Sequence, residues 1–501
     1  MQALTELQSH LAEVKALAEA AAVLGWDQQT YMPTGGAGSR AAQLTALSRM
    51  IHQKATGADM ARLLERAEQT SSGLDTDSDD AAYLRMARRD FDLVSRMPES
   101  LVAEMSRVTT LAHGAWAEAR SQSSYALFAP WLSQILGLSR QVADCLGHDG
   151  DRYDALLDQY EPGMKTAEVR SMFGRIKPAL VSLVRKIAEK GPNAVDASLL
   201  HLDFDEEKQR QFGEGVVRAI GFDWNRGRQD RAVHPFCTSF GRDDVRITTR
   251  FDKNFLPMAL FGSIHETGHA LYEQGVAERY SGNILCDGTS LGFHESQSRL
   301  WENLVGRSRP FWQHFYPSLR ALFPESLTGE DGEAFYRAIN QVKPTLIRVE
   351  ADEVTYNLHI LLRFEMEQDL LSEKLTVTDA PAAWNAKMQE YFGLTPPDDG
   401  QGILQDVHWS GGMIGYFPTY SIGNLLSVQL FEKANADLSG QIAAQIAAGE
   451  FTPLLEWLRT HVHQWGRKYP PDALVRRIVG GPLDSAPYLA YLEDKFGEIY
   501  R

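Results

Sequence analysis

Cysteine is nearly missing from this chain: Cys145, Cys237 and Cys286 are the only three in 501 residues. That is too few and too scattered for a disulfide framework or a cysteine-built metal site. It fits thiols kept reduced, as in a cytoplasmic protein. No apolar run approaches membrane-spanning length, so no membrane role is expected. The opening stretch, Met1 to Lys15, is an amphipathic helical pattern with acidic residues and is unlike a signal peptide. Basic residues form no stripe and are outnumbered, 50 Lys and Arg against 66 Asp and Glu, for a formal net charge of −16. Phosphate backbones need concentrated positive charge, which excludes nucleic acid as a partner. No linker, repeat or low-complexity tract interrupts the sequence; the Ser/Asp-rich segment from Thr70 to Asp80 reads as an exposed loop. Length alone would allow about three domains. Without a visible boundary, the expectation is one domain over 1–501, with a helical part to about 225, a sheet-containing core to about 425, and closing helices beyond.

What is present is mostly helical periodicity. Apolar residues recur at three- and four-residue intervals over Met1–Leu24, Ser39–Lys54, Asp80–Arg96, Pro98–Gln122, Ala167–Lys190, Asp205–Ile220, Gly332–Ser372 and Leu438–Thr460. One segment breaks the pattern. Between Ala232 and Phe251, Val233, Phe236, Thr238 and Phe240, then Val245, Ile247 and Thr249, alternate with period two around Gly241-Arg242-Asp243. That predicts a hairpin or two strands of a small sheet. An edge strand of such a sheet could bind peptide backbone by strand addition. The expected fold class is mainly α, with a small β-sheet beside the helix that follows.

That helix holds His265-Glu266-Thr267-Gly268-His269, the H-E-x-x-H pattern of a zinc peptidase. Histidines four apart on a helix share one face, so both imidazoles can reach one metal ion. Glu266 projects beside them, where it can take a proton from water. Pro257 suits the first turn, Leu260, Phe261, Ile264, Ala270 and Leu271 supply buried contacts, and Gly275 offers a stop. A catalytic zinc needs a third protein ligand. The run from Ser290 to Leu304 reads as a second helix, and Asp287, His294, Glu295 and Glu302 in or beside it are all chemically able to serve. Glu295 best fits the two-His-one-Glu arrangement, in which a helical glutamate follows about two dozen residues on. Asp287 is the reserve candidate, and His294 would support a ligand or face the substrate.

Three further clusters carry residue types that a peptide-cleaving site uses. In Ile347 to Asp352, predicted to lie within a long helix, Arg348 could clamp a carboxylate through paired hydrogen bonds or pair structurally with Glu350 and Asp352. In Gly402 to Trp409, His408 could donate to a substrate carbonyl. In Gly415 to Gly423, Tyr416 or Tyr420 could stabilise an oxyanion, or either could simply be buried.

Taken in order, these motifs resemble peptidase family M32, the carboxypeptidase Taq metallocarboxypeptidases. The matching stretches are Trp26 to Pro33, His234-Pro235-Phe236, Asp244 to Thr248, His265 to His269, His294 to Gln297, Ile347 to Asp352, Gly402 to Trp409 and Gly415 to Gly423. The match runs from about residue 20 to the C-terminus, with no departure at a motif position. The resemblance implies a helical, saddle-shaped homodimer with a deep groove, removing single residues from peptide C-termini with broad specificity. It implies zinc, with cobalt as a substitute or activator. His265, His269 and Glu295 would be the metal ligands and Glu266 the general base. Arg348 would hold the terminal carboxylate, and His234, His408, Tyr416 and Tyr420 would line the cleft, with Tyr420 favoured over Tyr416 at the oxyanion. Gly292-Phe293-His294-Glu295 is also similar to a string in peptidyl-dipeptidases of the angiotensin-converting class. The competing readings are a zinc oligopeptidase or dipeptidyl carboxypeptidase and, in a different class, a non-catalytic zinc-stabilised peptide-binding scaffold; the intact Glu266 argues against the scaffold.

Overall fold

The computed structural model describes residues 2–71, 73–191, 194–328 and 331–501. Met1, where the first predicted helix begins, and Ser72, in the predicted exposed loop, lie outside them. The chain forms two compact units, each built from separated stretches. The first takes the chain up to Ser95, then Ala197–Ile339 and Leu430–Pro482; the second takes Arg96–Asp196, Asn340–Gln429 and Leu483–Arg501. Both are mainly helical, as the periodicity predicts. Among the described residues no helix is long and apolar enough to cross a membrane.

The first unit contains the one sheet among the described residues. Its strands are β1 (Gly227–Arg231), β2 (Cys237–Ser239) and β3 (Val245–Thr249), in the order β1-β3-β2. The predicted hairpin is present: β2 runs antiparallel to β3, with Gly241-Arg242-Asp243 in the connection. β1, which pairs parallel to β3, has no apolar alternation to announce it. The pleat turns Val245 and Ile247 of β3 to one face, where they pack with Val217, Phe222 and Ala270. The neighbouring threonines tie the sheet to the helix that follows it. Thr249 Oγ1 donates to the carbonyl of Ala259 at 3.1 Å, and Gln229 Nε2 donates to Ser263 Oγ at 2.6 Å.

That helix runs Leu256–Gly275, with Pro257 in its first turn, as read from sequence. Of its 20 residues 15 are buried, so it is the central helix of its unit rather than a surface one. The first helix, Gln2–Thr30, runs past its predicted end and delivers Trp26, whose ring lies against the guanidinium groups of Arg228 at 5.3 Å and Arg246 at 4.3 Å. The tryptophan signature thus fastens the N-terminal helix to the sheet, through contacts worth about 0.5–2 kcal/mol each.

Two predicted helices are interrupted. Gly332–Ser372 is observed as Gly332–Ile339 and Tyr356–Leu371, with Arg348–Glu350 as a single 3-10 turn between them. Pro344 cannot continue a helix, and the Asp352 carboxylate accepts from the amides of Lys343, Val354 and Thr355 at 2.9–3.0 Å, closing the loop just before the next helix. Leu438–Thr460 becomes Ile442–Ala448 and Thr452–His461, parted at Gly449, whose φ of 80° is a helix-terminating conformation.

Candidate active site

The candidate metal centre lies wholly in the first unit. His265 and His269 project from the Leu256–Gly275 helix, and Glu295 from the helix Leu291–Arg299, whose N-cap Ser290 accepts from Phe293 N at 3.1 Å. One donor atom from each of the three lies within 4.8 Å of the others. Glu295 Oε2 is 3.7 Å from His265 Nε2 and 3.6 Å from His269 Nε2. Gly268 makes this convergence possible. A Cβ there would meet Ser298 Cα at 2.5 Å and Gln297 O at 2.6 Å, so the two helix backbones pack directly on one another.

The atoms behind the donors are also engaged. His265 Nδ1 is 2.9 Å from Glu302 Oε2, so it carries its proton there and leaves Nε2 as a lone pair. Glu302, one of the candidate ligands, therefore orients His265 instead. It comes from the π-helical turn Leu300–Gly306 that continues the Glu295 helix. His269 Nδ1 lies 2.7 Å from His294 Nδ1, and His294 Nε2 lies 2.6 Å from Glu273 Oε1. One tautomer set satisfies this chain: His269 donates to His294, and His294 donates to the Glu273 carboxylate, leaving His269 Nε2 free to bind a metal. Arg299 Nε donates to Glu295 Oε1 at 2.6 Å and Ser298 Oγ to Glu295 Oε2 at 3.2 Å, fixing the third ligand. Asp287 is not among the converging ligand atoms.

The electrostatics agree with these roles. Burial holds the His269 imidazole well below its ordinary value, with His294 adding to the effect, so it stays neutral. At His265 burial is outweighed by the carboxylates of Glu295 and Glu302, which raise it. Burial raises Glu266 to about 7, with Glu295 adding to the shift and His265 opposing it. A carboxyl poised near neutrality suits a group that must both take and give a proton. Two neutralisable imidazoles, one carboxylate and engaged outer partners are a donor set that fits zinc or cobalt. His234 sits exposed in the turn between β1 and β2, outside this cluster.

The second unit assembles the other predicted residues. Arg348 is buried, and its partner is neither Glu350 nor Asp352 but Asp406: Nε and Nη2 donate to Oδ1 at 3.0 and 2.8 Å, while Nη1 reaches Tyr356 Oη at 3.1 Å. Arg363, with no exposed surface, donates to the other oxygen of Asp406 at 2.6 Å. Gln405 Oε1 accepts from the backbone N–H of Arg348 and from Arg363 Nη2, at 2.8 Å each. Two guanidinium groups thus share one carboxylate, a buried cluster with one surplus positive charge. Asp406 is held well below the usual carboxylate range, its burial outweighed by Arg348 and Arg363. His408 Nε2 meets Tyr420 Oη at 3.2 Å, and the Tyr416 and Tyr420 rings stand 5.3 Å apart. Burial lowers His408 to about 4, so it is neutral at physiological pH.

Sequence reading missed Glu273, Arg299 and Arg363. Glu273 follows His269 by four residues and Arg299 follows Glu295 by four, so helical spacing could have found both.

A helix-borne two-His-one-Glu cluster with a buried glutamate between the histidines defines a metallopeptidase centre. The comparisons with known proteins give its family. Residues 6–496 match the model of the carboxypeptidase Taq (M32) metallopeptidases, and the chain belongs to that family. It is 42% identical to thermostable carboxypeptidase 1 of Thermus thermophilus over 497 residues, covering 97% of each chain. Among solved structures it is similar to the M32 carboxypeptidase of Deinococcus radiodurans, with a TM-score of 0.97 and 42% identity over 100% of both chains. Trypanosoma cruzi metallocarboxypeptidase 1 has a TM-score of 0.95 at 33% identity, again over 100% of both. The chain is accordingly a peptide hydrolase of the metallocarboxypeptidase type.

Proposed function

We propose that this metallocarboxypeptidase is zinc-dependent, with cobalt as a substitute or activator, and releases single C-terminal residues from peptides with broad specificity. The observation that carries the reading is the convergence of His265 Nε2, His269 Nε2 and Glu295 Oε2, next to the buried carboxyl of Glu266. His265, His269 and Glu295 would hold the metal, which when bound activates water at neutral pH and polarises the scissile carbonyl. Glu266 takes the proton from the attacking water and passes it to the departing amine nitrogen. Glu302 and His294 keep the two imidazoles in the metal-binding tautomer.

Arg348 holds the substrate's terminal carboxylate. The support is the surplus positive charge it shares with Arg363 and Asp406, which a carboxylate would neutralise. That anchor makes cleavage exo rather than endo. Neutral His408 and the hydroxyl of Tyr420, in preference to Tyr416, donate to the carbonyl oxygen as its charge develops. His234 contributes to substrate binding from its exposed turn. The two units act as one peptidase domain, in a cytoplasmic homodimer.

The test is Glu266→Gln. It should retain the metal at wild-type stoichiometry while turnover falls by roughly 10²–10⁴-fold, the usual worth of a positioned general base. An active variant would show that another group takes the proton.

A further inference from the structure

The helix Tyr356–Leu371 of the second unit presents a row of buried polar side chains, Asn357, Arg363 and Glu367, none with exposed surface. Each binds the segment that carries His408, Tyr416 and Tyr420. Arg363 takes Asp406 and Gln405, and Asn357 Oδ1 accepts from Ser421 and Asn424 at 2.8 and 2.9 Å. Glu367 holds the part between them. Its Oε1 accepts from Trp409 Nε1 at 2.9 Å; its Oε2 accepts from Gly415 N at 3.1 Å and from Tyr153 Oη at 2.7 Å. Trp409 follows His408 in sequence, and Gly415 precedes Tyr416. Gly415 has a φ of 93°, and a Cβ there would lie 2.9 Å from the backbone of Leu156 and Leu157. The loop is therefore pressed on the short helix Arg152–Leu157, which also supplies Tyr153.

We propose that Glu367 is a positioning residue, whose carboxylate clamps the loop that follows His408, at Trp409 and at Gly415, and so fixes His408 for the substrate. Burying a carboxylate whose hydrogen-bond partners among the described residues include no cation is costly, and an apolar side chain would fill the space at lower cost. What the carboxylate supplies is enough acceptor capacity for three donors from two separate segments. A glutamine cannot substitute, because it offers one acceptor oxygen and brings two N–H groups toward groups that already donate.

The proposal rests on His408 contacting substrate, and the experiment separates the two ideas. Glu367→Gln, His408→Ala and the double variant are compared as metal-loaded proteins for kcat, KM, metal content and melting temperature. Glu367→Gln is expected to stay folded and metal-replete, with kcat down by about tenfold or more and KM little changed, as for a displaced reacting group. The double variant should be no slower than His408→Ala, because Glu367 acts through His408. Trp409→Phe, which removes one donor and keeps an aromatic ring, should repeat the kcat loss and covers the case in which Glu367→Gln does not fold. Full activity in both Glu367→Gln and Trp409→Phe, or losses that multiply in the double variant, would overturn the proposal. Full activity in His408→Ala would instead overturn the reading of His408, and this proposal with it.

Discussion

Replacing Gly268 by alanine tests how the metal centre is built. The added methyl would stand 2.5 Å from Ser298 Cα and 2.6 Å from Gln297 O, whereas non-bonded carbons settle at about 3.5–4.0 Å. The Glu295 helix must therefore retreat by about 1 Å. Both obstructing groups are backbone, so no side chain can swing away. A metal site tolerates only about 0.2 Å in ligand distance, so a retreat of that size pulls Glu295 off the ion while the histidines stay in place. Overpacking should also cost about 1–3 kcal/mol of stability. Gly262→Ala on the same helix is the control: its methyl would meet Pro235 Cγ at 3.8 Å and Thr249 Oγ1 at 3.9 Å, ordinary contact distances. The assay is zinc affinity by chelator competition, with the melting temperature measured on the same samples. Gly268→Ala should bind zinc at least tenfold more weakly, and Gly262→Ala should bind as the wild type does. Equal zinc affinity in all three proteins would refute the argument that direct backbone packing at Gly268 sets the position of Glu295.

Other consequences are open to measurement. Glu302→Ala removes the acceptor on His265 Nδ1 and should weaken zinc binding about 10–100-fold in the same competition assay; an unchanged affinity would mean that Glu302 does not orient the ligand. Arg348→Ala should cut the preference for free-carboxylate over C-terminally amidated peptides. Because Arg348 also binds Asp406, that ratio, not the absolute rate, is the readout, and an unchanged ratio would make the arginine purely structural. Burial lowers His463 to about 3, so it is neutral in the folded protein while its unfolded counterpart takes up a proton below about 6.5. Stability from this group is thus complete above pH 6.5 and declines as pH falls. In denaturation titrations the wild-type advantage over His463→Gln should shrink by about 1.4 kcal/mol per pH unit below 6.5, levelling near pH 3; a pH-independent difference would contradict this.

The residues that carry the chemistry were legible in sequence, and the partners that hold them from elsewhere in the chain were mostly not. His265, Glu266 and His269 declare themselves by spacing, and Glu295 by its distance from them along a second helical run. The β2–β3 hairpin was readable because one face of β3 is buried, which forces alternation on Val245 and Ile247. β1 escaped because its sequence, GRQDR, has no apolar alternation and its partner comes from a later stretch. The environment of Arg348 was hidden for a similar reason. The local reading paired it with Glu350 and Asp352, while its actual partner Asp406 is 58 residues away. Nor does periodicity reveal that Pro344 and Asp352 break the helix there. Glu367 lies mid-helix, and only the loop folded against it shows it to be a buried acceptor.

The most direct test of the account is mass spectrometry of one unstructured peptide incubated with the zinc-loaded protein, beside a chelator-treated control. The account predicts a ladder that loses one residue at a time from the C-terminus, absent from the chelated sample and restored by zinc or cobalt. Two-residue steps would contradict the release of single residues, internal fragments would contradict the exopeptidase role given to Arg348, and cleavage that persists in chelator would contradict the metal centre itself.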